Sequence, residues 1–269
     1  MSSSSHRNPA SRIARAAGLL ALNFGIDPRG LKSSKNMARF VRDYREFTGR
    51  GGKVAELHPI LGDYDAQAGS GSGQYFHQDL LVASFVHDAA PRRHIDVGSR
   101  IDGFIAHVAA FREIEMLDIR PLDKSAHARI KFLQGDLMKH DAKWDQVADS
   151  VSSLHALEHF GLGRYGDTID PDGHITGFRN LARIVEPGGM LYIGLPIGSQ
   201  TRVFFNAHRI FAPGEPPTWF EQPGSFALER FDYIDDAGDL HAQADSSAVP
   251  PLTHGCGIYS FRRKLSAET

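Results

Sequence analysis

The chain has 269 residues, 41% of them hydrophobic and 23% charged, a globular balance that excludes disorder as the main state and suits one large α/β domain with an added arm. A formal net charge of −2 conceals an asymmetry: residues 1–53 carry 11 Lys and Arg against 3 Asp and Glu, which makes a basic arm on an acidic body. The single cysteine, Cys256, cannot close an internal disulfide, so a reducing, cytoplasmic setting is expected.

The opening Met1-Ser2-Ser3-Ser4-Ser5 reads as polar low complexity. The apolar run of residues 16–22 stops at Asn23, far short of the roughly 20 residues that cross a bilayer. Arg12 and Arg15 abut that short run with no cleavage pattern after it, which argues against a secretory signal. Met37, Phe40, Val41 and Tyr44 recur at helical spacing while Arg39, Arg42 and Arg45 point elsewhere, so an amphipathic helix with a basic face is expected. It reads first as a docked surface helix, and second as a weak peripheral contact with anionic lipid or a polyanion.

Residues 66–74 are rich in Gly and Ser and read as a connector between an N-terminal extension, residues 1–65, and a body, residues 75–269. In the body, Val82, Phe85, Val86 and Ala89 mark a helix ended by Pro91. A strand at 94–97, a turn at Gly98-Ser99-Arg100 and a helix with Ile101, Phe104, Ile105 and Val108 buried come next. Further strands are expected at 114–118, 130–133 and 147–154. A helix through Phe178, Leu181, Ala182 and Val185 is stopped by Glu186-Pro187-Gly188-Gly189 and followed by a strand over 190–195. Two longer aromatic strands, 226–234 and 257–264, should pair antiparallel at one end of a mainly parallel, helix-covered sheet.

In such a sheet a ligand sits beyond the carboxyl ends of the strands, at the first βα turn. Gly98 lets the backbone approach a ligand, and Ser99 with Asp102 resembles a capping pair. Arg100 stands where the second glycine of GxGxxG belongs, so a pyrophosphate is disfavoured. Asp118 lies 20 residues after Gly98 at a strand end, where a carboxylate can hold ribose hydroxyls, and Asp136 ends the third β unit.

The run Ile95-Asp96-Val97-Gly98-Ser99, the acids Asp118 and Asp136, the segment Ser152-Ser153-Leu154-His155-Ala156-Leu157-Glu158-His159 and the approach Ile184-Val185-Glu186-Pro187-Gly188-Gly189 resemble, in order and spacing, the motifs of class I S-adenosylmethionine-dependent methyltransferases over about residues 90–200. More narrowly, Tyr75-Phe76-His77-Gln78-Asp79, residues 98–103, residues 155–167 and Asn206-Ala207-His208-Arg209 resemble an uncharacterised methyltransferase-like family, a domain of unknown function first described in nematodes and found among bacterial surface-glycan genes. The resemblance implies a Rossmann-like, seven-stranded α/β sheet and S-adenosyl-L-methionine as cofactor. It places Asp96, Gly98, Ser99 and Ser153 near the methionine end, Asp118 and Ile119 at the ribose, and Asp136 and Leu137 at the adenine. Arg100 departs from the class pattern, and a guanidinium there would pair with the cofactor carboxylate.

Methyl transfer to a hydroxyl needs an acceptor held in line and its proton removed. His155 and Glu158, after the fourth strand, are the first candidates for that role and His208 the next; residues 208–213 resemble the segment with which many class I methyltransferases begin their acceptor-side helix, which implies a helix opening at His208. The glycine-rich loop with Arg164, Tyr165 and Asp167, together with His77, Asn206 and Arg209, is the candidate substrate-binding set, suited to a polyhydroxylated acceptor such as a sugar of a surface-glycan precursor. The rival readings are methylation of a small metabolite and a non-catalytic glycan- or partner-binding protein, the latter favoured by Arg100. His155-x-x-Glu158-His159 also fits the inverted zinc-hydrolase pattern, but it follows an apolar strand directly instead of sitting inside a long helix, and no metal is expected. The acidic body disfavours nucleic acid.

Overall fold

The computed structural model describes residue 22 and residues 33–66, 68–69, 71–122 and 127–265. The expectations for Met1 to Ser5, Arg12, Arg15 and the apolar run before Leu22 fall outside the described residues. The chain divides into two compact units, Met1–Ser70 and Gly71–Thr269, with the division inside the Gly/Ser connector. Among the described residues no helix is long and apolar enough to cross a membrane.

In the first unit the expected amphipathic helix forms as α1 (Met37–Gly49). Its fastening is polar. Asn36 Nδ2 donates to Leu61 O at 3.0 Å and to Asp65 Oδ2 at 2.7 Å, and the Arg39 guanidinium lies 4.3 Å from the centre of the Tyr64 ring. The apolar stripe is left open: Met37, Val41 and Tyr44 are exposed and no residue of α1 is buried.

The second unit begins with α2 (Gln74–Ala89), whose inner face buries Gln78, Asp79, Val82, Ala83 and Val86. Ala90 closes it in the left-handed region at φ 42°, with its N–H on Val86 O, and Pro91 prevents continuation. Next come β1 (His94–Val97), a wide helical turn at Ile101–Ile105 that runs into α3 (Ala106–Ala109), β2 (Ile114–Asp118), β3 (Ile130–Gln134), β4 (Ala148–Leu154), α4 (Gly173–Ile184) and β5 (Val185–Ile197). A hairpin of β6 (Arg202–Phe204) and β7 (His208–Ile210) precedes β8 (Phe226–Ile234), the two-residue β9 (Leu240–His241) and β10 (Gly255–Arg263).

The sheet order is β3-β2-β1-β4-β5-β10-β8-β9. The first five strands are parallel, and β10 runs antiparallel between β5 and β8. The order reverses between β1 and β4, the switch point at which open α/β sheets bind ligands. Two apolar layers cover the sheet. Phe178 and Leu181 of α4 pack with Trp219, Phe220 and Phe261 on one face, and Val82, Val86, Phe104, Ile105 and Val108 of α2 and the α3 region pack on the other.

The expectations differ from the structure at three places. The sheet has eight strands, not seven, because Leu240–His241 adds a short edge to β8. β5 starts at Val185, with Pro187-Gly188-Gly189 inside it. Gly188 takes φ 81°, and a Cβ on Gly189 would meet Glu186 O at 2.9 Å and Asp149 O at 3.0 Å, so these glycines permit an irregular strand where a stop was expected. The segment from His208, expected to open a helix, is a strand instead. Arg202, Val203 and Phe204 pair with Ile210, Arg209 and His208, and Phe211 is tied to β5 through Phe211 N–H to Pro196 O at 3.0 Å.

Candidate active site

The first turn is built from below by a buried polar chain. Asp96 accepts from Ser99 N–H (3.0 Å), Ser99 Oγ (2.7 Å) and Ser152 Oγ (2.5 Å). Because the Ser152 hydrogen goes to Asp96, its oxygen accepts from His94 Nε2–H at 3.1 Å, and His94 Nδ1 then accepts from Ser150 Oγ at 2.8 Å. Burial pushes His94 down to about 3, which keeps it neutral, and pushes Asp96 up to about 7 against its three hydrogen bonds. Ser153 Oγ donates to Val97 O at 2.9 Å. Asp96, Ser99 and Ser153 therefore hold the backbone of the turn in place, and none of their side chains lines the cleft above it.

Gly98 supplies the floor. It sits at φ 74°, and a Cβ there would lie 2.8 Å from the Ala156 Cβ, so only glycine leaves this approach open. Arg100 turns outward, gripping Asp102 with two hydrogen bonds (3.1 and 2.8 Å) and lying 5.2 Å from the Tyr75 ring centre. It does not line the cleft.

Above Gly98 opens a cleft of ≈ 550 Å³ at the carboxyl ends of β1 to β4. Gly98, Asp118, Ile119, Asp136 and Leu137 line it from the sheet side, and His155, His159, Tyr165 and Asp167 from the loops beyond β4. Asp136 Oδ1 accepts the Met138 N–H at 2.9 Å, and Lys139 Nζ is 3.3 Å from Oδ2. Asp118, 5% exposed, accepts from Arg120 N–H (2.8 Å), Nε (2.9 Å) and a terminal guanidinium nitrogen (2.6 Å). Arg120, which also lines the cleft, was not legible as a site residue: an arginine two residues after a strand-end acid carries no motif of its own.

Beyond β4 the chain turns sharply, with His155 at φ 53° and its N–H on Gly194 O at 2.9 Å. This aims the His155 ring into the cleft wall, 4.8 Å from Tyr75 centre to centre, with Nδ1 3.1 Å from Glu158 Oε1. Both side chains are buried, and His155 Nε2 and Glu158 Oε2 have no hydrogen-bond partner among the described residues. Burial opposes charge on each. The Cys256 sulfur and the Glu158 carboxylate nevertheless hold the His155 pKa well above the usual histidine value, and His155 in turn holds Glu158 below the usual carboxylate range. The pair is an imidazolium and a carboxylate. His159 differs: burial lowers its pKa, so it is neutral, and Nδ1 donates to Ala207 O at 2.7 Å, which leaves a lone pair on Nε2, 3.7 Å from Glu158 Oε1.

The remaining candidates divide by position. Asp167 accepts from Gly161 N–H (2.7 Å), Gly163 N–H (3.1 Å) and Tyr165 N–H (3.2 Å), which folds the glycine loop so that the Tyr165 ring meets the Arg120 and Arg164 guanidinium groups at 4.6 and 5.2 Å. Arg164 donates to Ala207 O at 2.8 Å, beside His159. Arg209 is buried and donates to Phe160 O (2.5 Å) and Pro171 O (3.0 Å), so it clamps the loop from outside the cleft. His208, its pKa lowered by burial, packs between Phe204 and His254, while Asn206 is exposed at the hairpin tip and His77 packs on Phe76. Arg164, Arg209, His208, Asn206 and His77 do not line the cleft. In the HxxEH segment Glu158 pairs with both imidazoles, and among the described residues no group of three or more His, Cys, Asp and Glu is placed to hold a metal ion.

The profile of a family described as "Caenorhabditis protein of unknown function, DUF268" matches residues 109–215. No curated protein matches the chain. Among solved structures, it is similar to a 1,6-didemethyltoxoflavin-N1-methyltransferase of Burkholderia thailandensis, solved with 1,6-didemethyltoxoflavin and S-adenosylhomocysteine, at TM-score 0.51 and 14% identity over 70% of this chain and 78% of that one. It is also similar to the [4+2]-cyclase SpnF (TM-score 0.50, 14% identity, 84% of this chain and 96% of that one) and to a putative sarcosine dimethylglycine methyltransferase of Galdieria sulphuraria (TM-score 0.50, 14% identity, 82% and 98%). With its 3-2-1-4-5 parallel strands and antiparallel closing pair, the chain has the fold of the class I S-adenosylmethionine-dependent methyltransferases.

Proposed function

We propose that this protein is an S-adenosylmethionine-dependent methyltransferase that methylates a hydroxyl oxygen, the acceptor being a sugar of a surface-glycan precursor. One observation carries the reading. A single cleft at the switch point brings together a glycine floor, two strand-end acids and the imidazoles of His155 and His159, with the buried Glu158 carboxylate behind them. The cleft suits the cofactor: a Cβ at Gly98 would close the floor, and Asp118 and Asp136 stand one strand apart where a nucleoside's hydroxyl and amine donors need acceptors.

When bound, the sulfonium cofactor supplies an electrophilic methyl group. The chain's own part is to position and deprotonate the acceptor. His155 and His159 line the cleft, and Glu158 behind them lies 3.1 Å from His155 Nδ1 and 3.7 Å from His159 Nε2. In this mechanism His155 orients the acceptor oxygen, and the neutral Nε2 of His159 receives its proton, with Glu158 stabilising the imidazolium that forms. The sugar class is supported by the resemblance of the sequence to an uncharacterised family found among bacterial surface-glycan genes and by the polar loop that presents Tyr165 and Asp167 to the cleft.

Calorimetry with S-adenosylhomocysteine tests the cofactor, and labelled methyl donor with a panel of nucleotide-sugar and lipid-linked oligosaccharide acceptors tests the reaction. Binding at micromolar concentration, weakened about tenfold or more in Asp118→Ala, is expected. Full affinity in that variant would refute the placement of the ribose. Bound donor with no product across the panel would refute the sugar acceptor.

A further inference from the structure

The carboxylate assigned to the nucleoside is already engaged. A carboxylate offers about four lone-pair sites, and on Asp118 three are taken. Oδ1 accepts the Arg120 N–H and Nε–H, and Oδ2 accepts one terminal guanidinium nitrogen. A vicinal diol that donates two hydrogen bonds finds room for one. The backbone N–H of Arg120 is fixed in the turn two residues after Asp118, so the group with freedom to yield is the guanidinium. It is free to do so, because the Arg120 side chain is 47% exposed, lines the cleft and lies over the Tyr165 ring at 4.6 Å, which gives a displaced guanidinium both water and an aromatic face.

We infer that Arg120 is a specificity-determining competitor for Asp118: a ligand's vicinal diol must displace the guanidinium from at least one carboxylate oxygen, so the arginine lowers the affinity gained from the second hydroxyl. The inference rests on the reading of the cleft as an adenosyl-nucleoside site. Arg120 acts through Asp118 and is a positioning residue. Its stacking on Tyr165 carries the displacement to the glycine loop, the acceptor side of the cleft.

The experiment compares S-adenosylhomocysteine with its 2′-deoxy counterpart by calorimetry, on the full chain and on Arg120→Ala and Arg120→Lys. In the wild type the two ligands should differ by less than about threefold, because one hydroxyl uses the open site without displacing anything. In Arg120→Ala, S-adenosylhomocysteine should bind about tenfold tighter than in the wild type and the deoxy ligand nearly as before, the size of one charge-assisted hydrogen bond. Arg120→Lys, which cannot occupy both oxygens in a fork, should fall between. A variant that merely damaged the fold would weaken both ligands together and leave their ratio alone. An unchanged ratio, or weaker S-adenosylhomocysteine binding in Arg120→Ala, overturns this inference while wild-type binding keeps the cofactor reading intact. Absence of binding to the wild type overturns both.

Discussion

Beneath the Gly98 turn, His94 and Asp96 are joined through Ser152 and titrate in opposite senses, which makes stability against pH a sharp test of the buried chain. Asp96 rises from 3.8 to about 7 on folding. Between those values the folded state holds a proton that the unfolded state has lost, so this group's contribution is complete below about pH 4 and is lost as the pH climbs to about 7. His94 falls from 6.5 to about 3. Its contribution is complete above about 6.5 and is lost as the pH falls toward 3. At about 1.4 kcal/mol per pH unit for each proton, the two swings come to about 4 and about 5 kcal/mol, and between pH 4 and 6.5 they nearly cancel. Substituting one partner exposes the other. In Asp96→Asn, unfolding free energy should rise with pH across that window relative to the wild type, and in His94→Gln it should fall, so the two slopes part by about 2.7 kcal/mol per unit. Urea unfolding at half-unit steps from pH 4 to 7 measures this, with the slope as readout because both variants also lose a constant amount. Parallel curves for the two variants would refute the assignment of a neutral His94 beneath a reluctant Asp96 carboxylate.

Two further substitutions probe the frame. Gly98→Ala, forced to φ 74° with its Cβ 2.8 Å from Ala156, should cost about 1–2 kcal/mol and abolish detectable S-adenosylhomocysteine binding; thermal melts and calorimetry read the two effects. Arg209→Met leaves the carbonyls of Phe160 and Pro171 without their donor, so it should cost about 2–3 kcal/mol and speed amide exchange across residues 160–171 while β1 to β5 keep their protection. Uniform exchange across the sheet would show that the clamp is not local.

Much of the frame is legible in the chain because its signals are local. Apolar spacing places α2 and α4, short apolar runs bounded by turns place the parallel strands, and Gly98 with Asp118 and Asp136 at strand ends places the cleft. Where the reading erred, the reasons differ: at His208 the partner strand β6 supplies pairing that overrides local preference, and at Pro187-Gly188-Gly189 the chain bulges between two positions paired with β4, Ala148–Val185 and Ser150–Met190. The sequence by itself determined the order of strands and helices, and with it which ends of which strands meet. The duties of the side chains were decided by tertiary structure, because a hydrogen-bonding group serves whatever partner packing brings within 3 Å. Arg100 spends itself on Asp102 and Arg120 on Asp118, Arg209 grips backbone carbonyls, and Ala207 fixes the tautomer of His159 from 48 residues away.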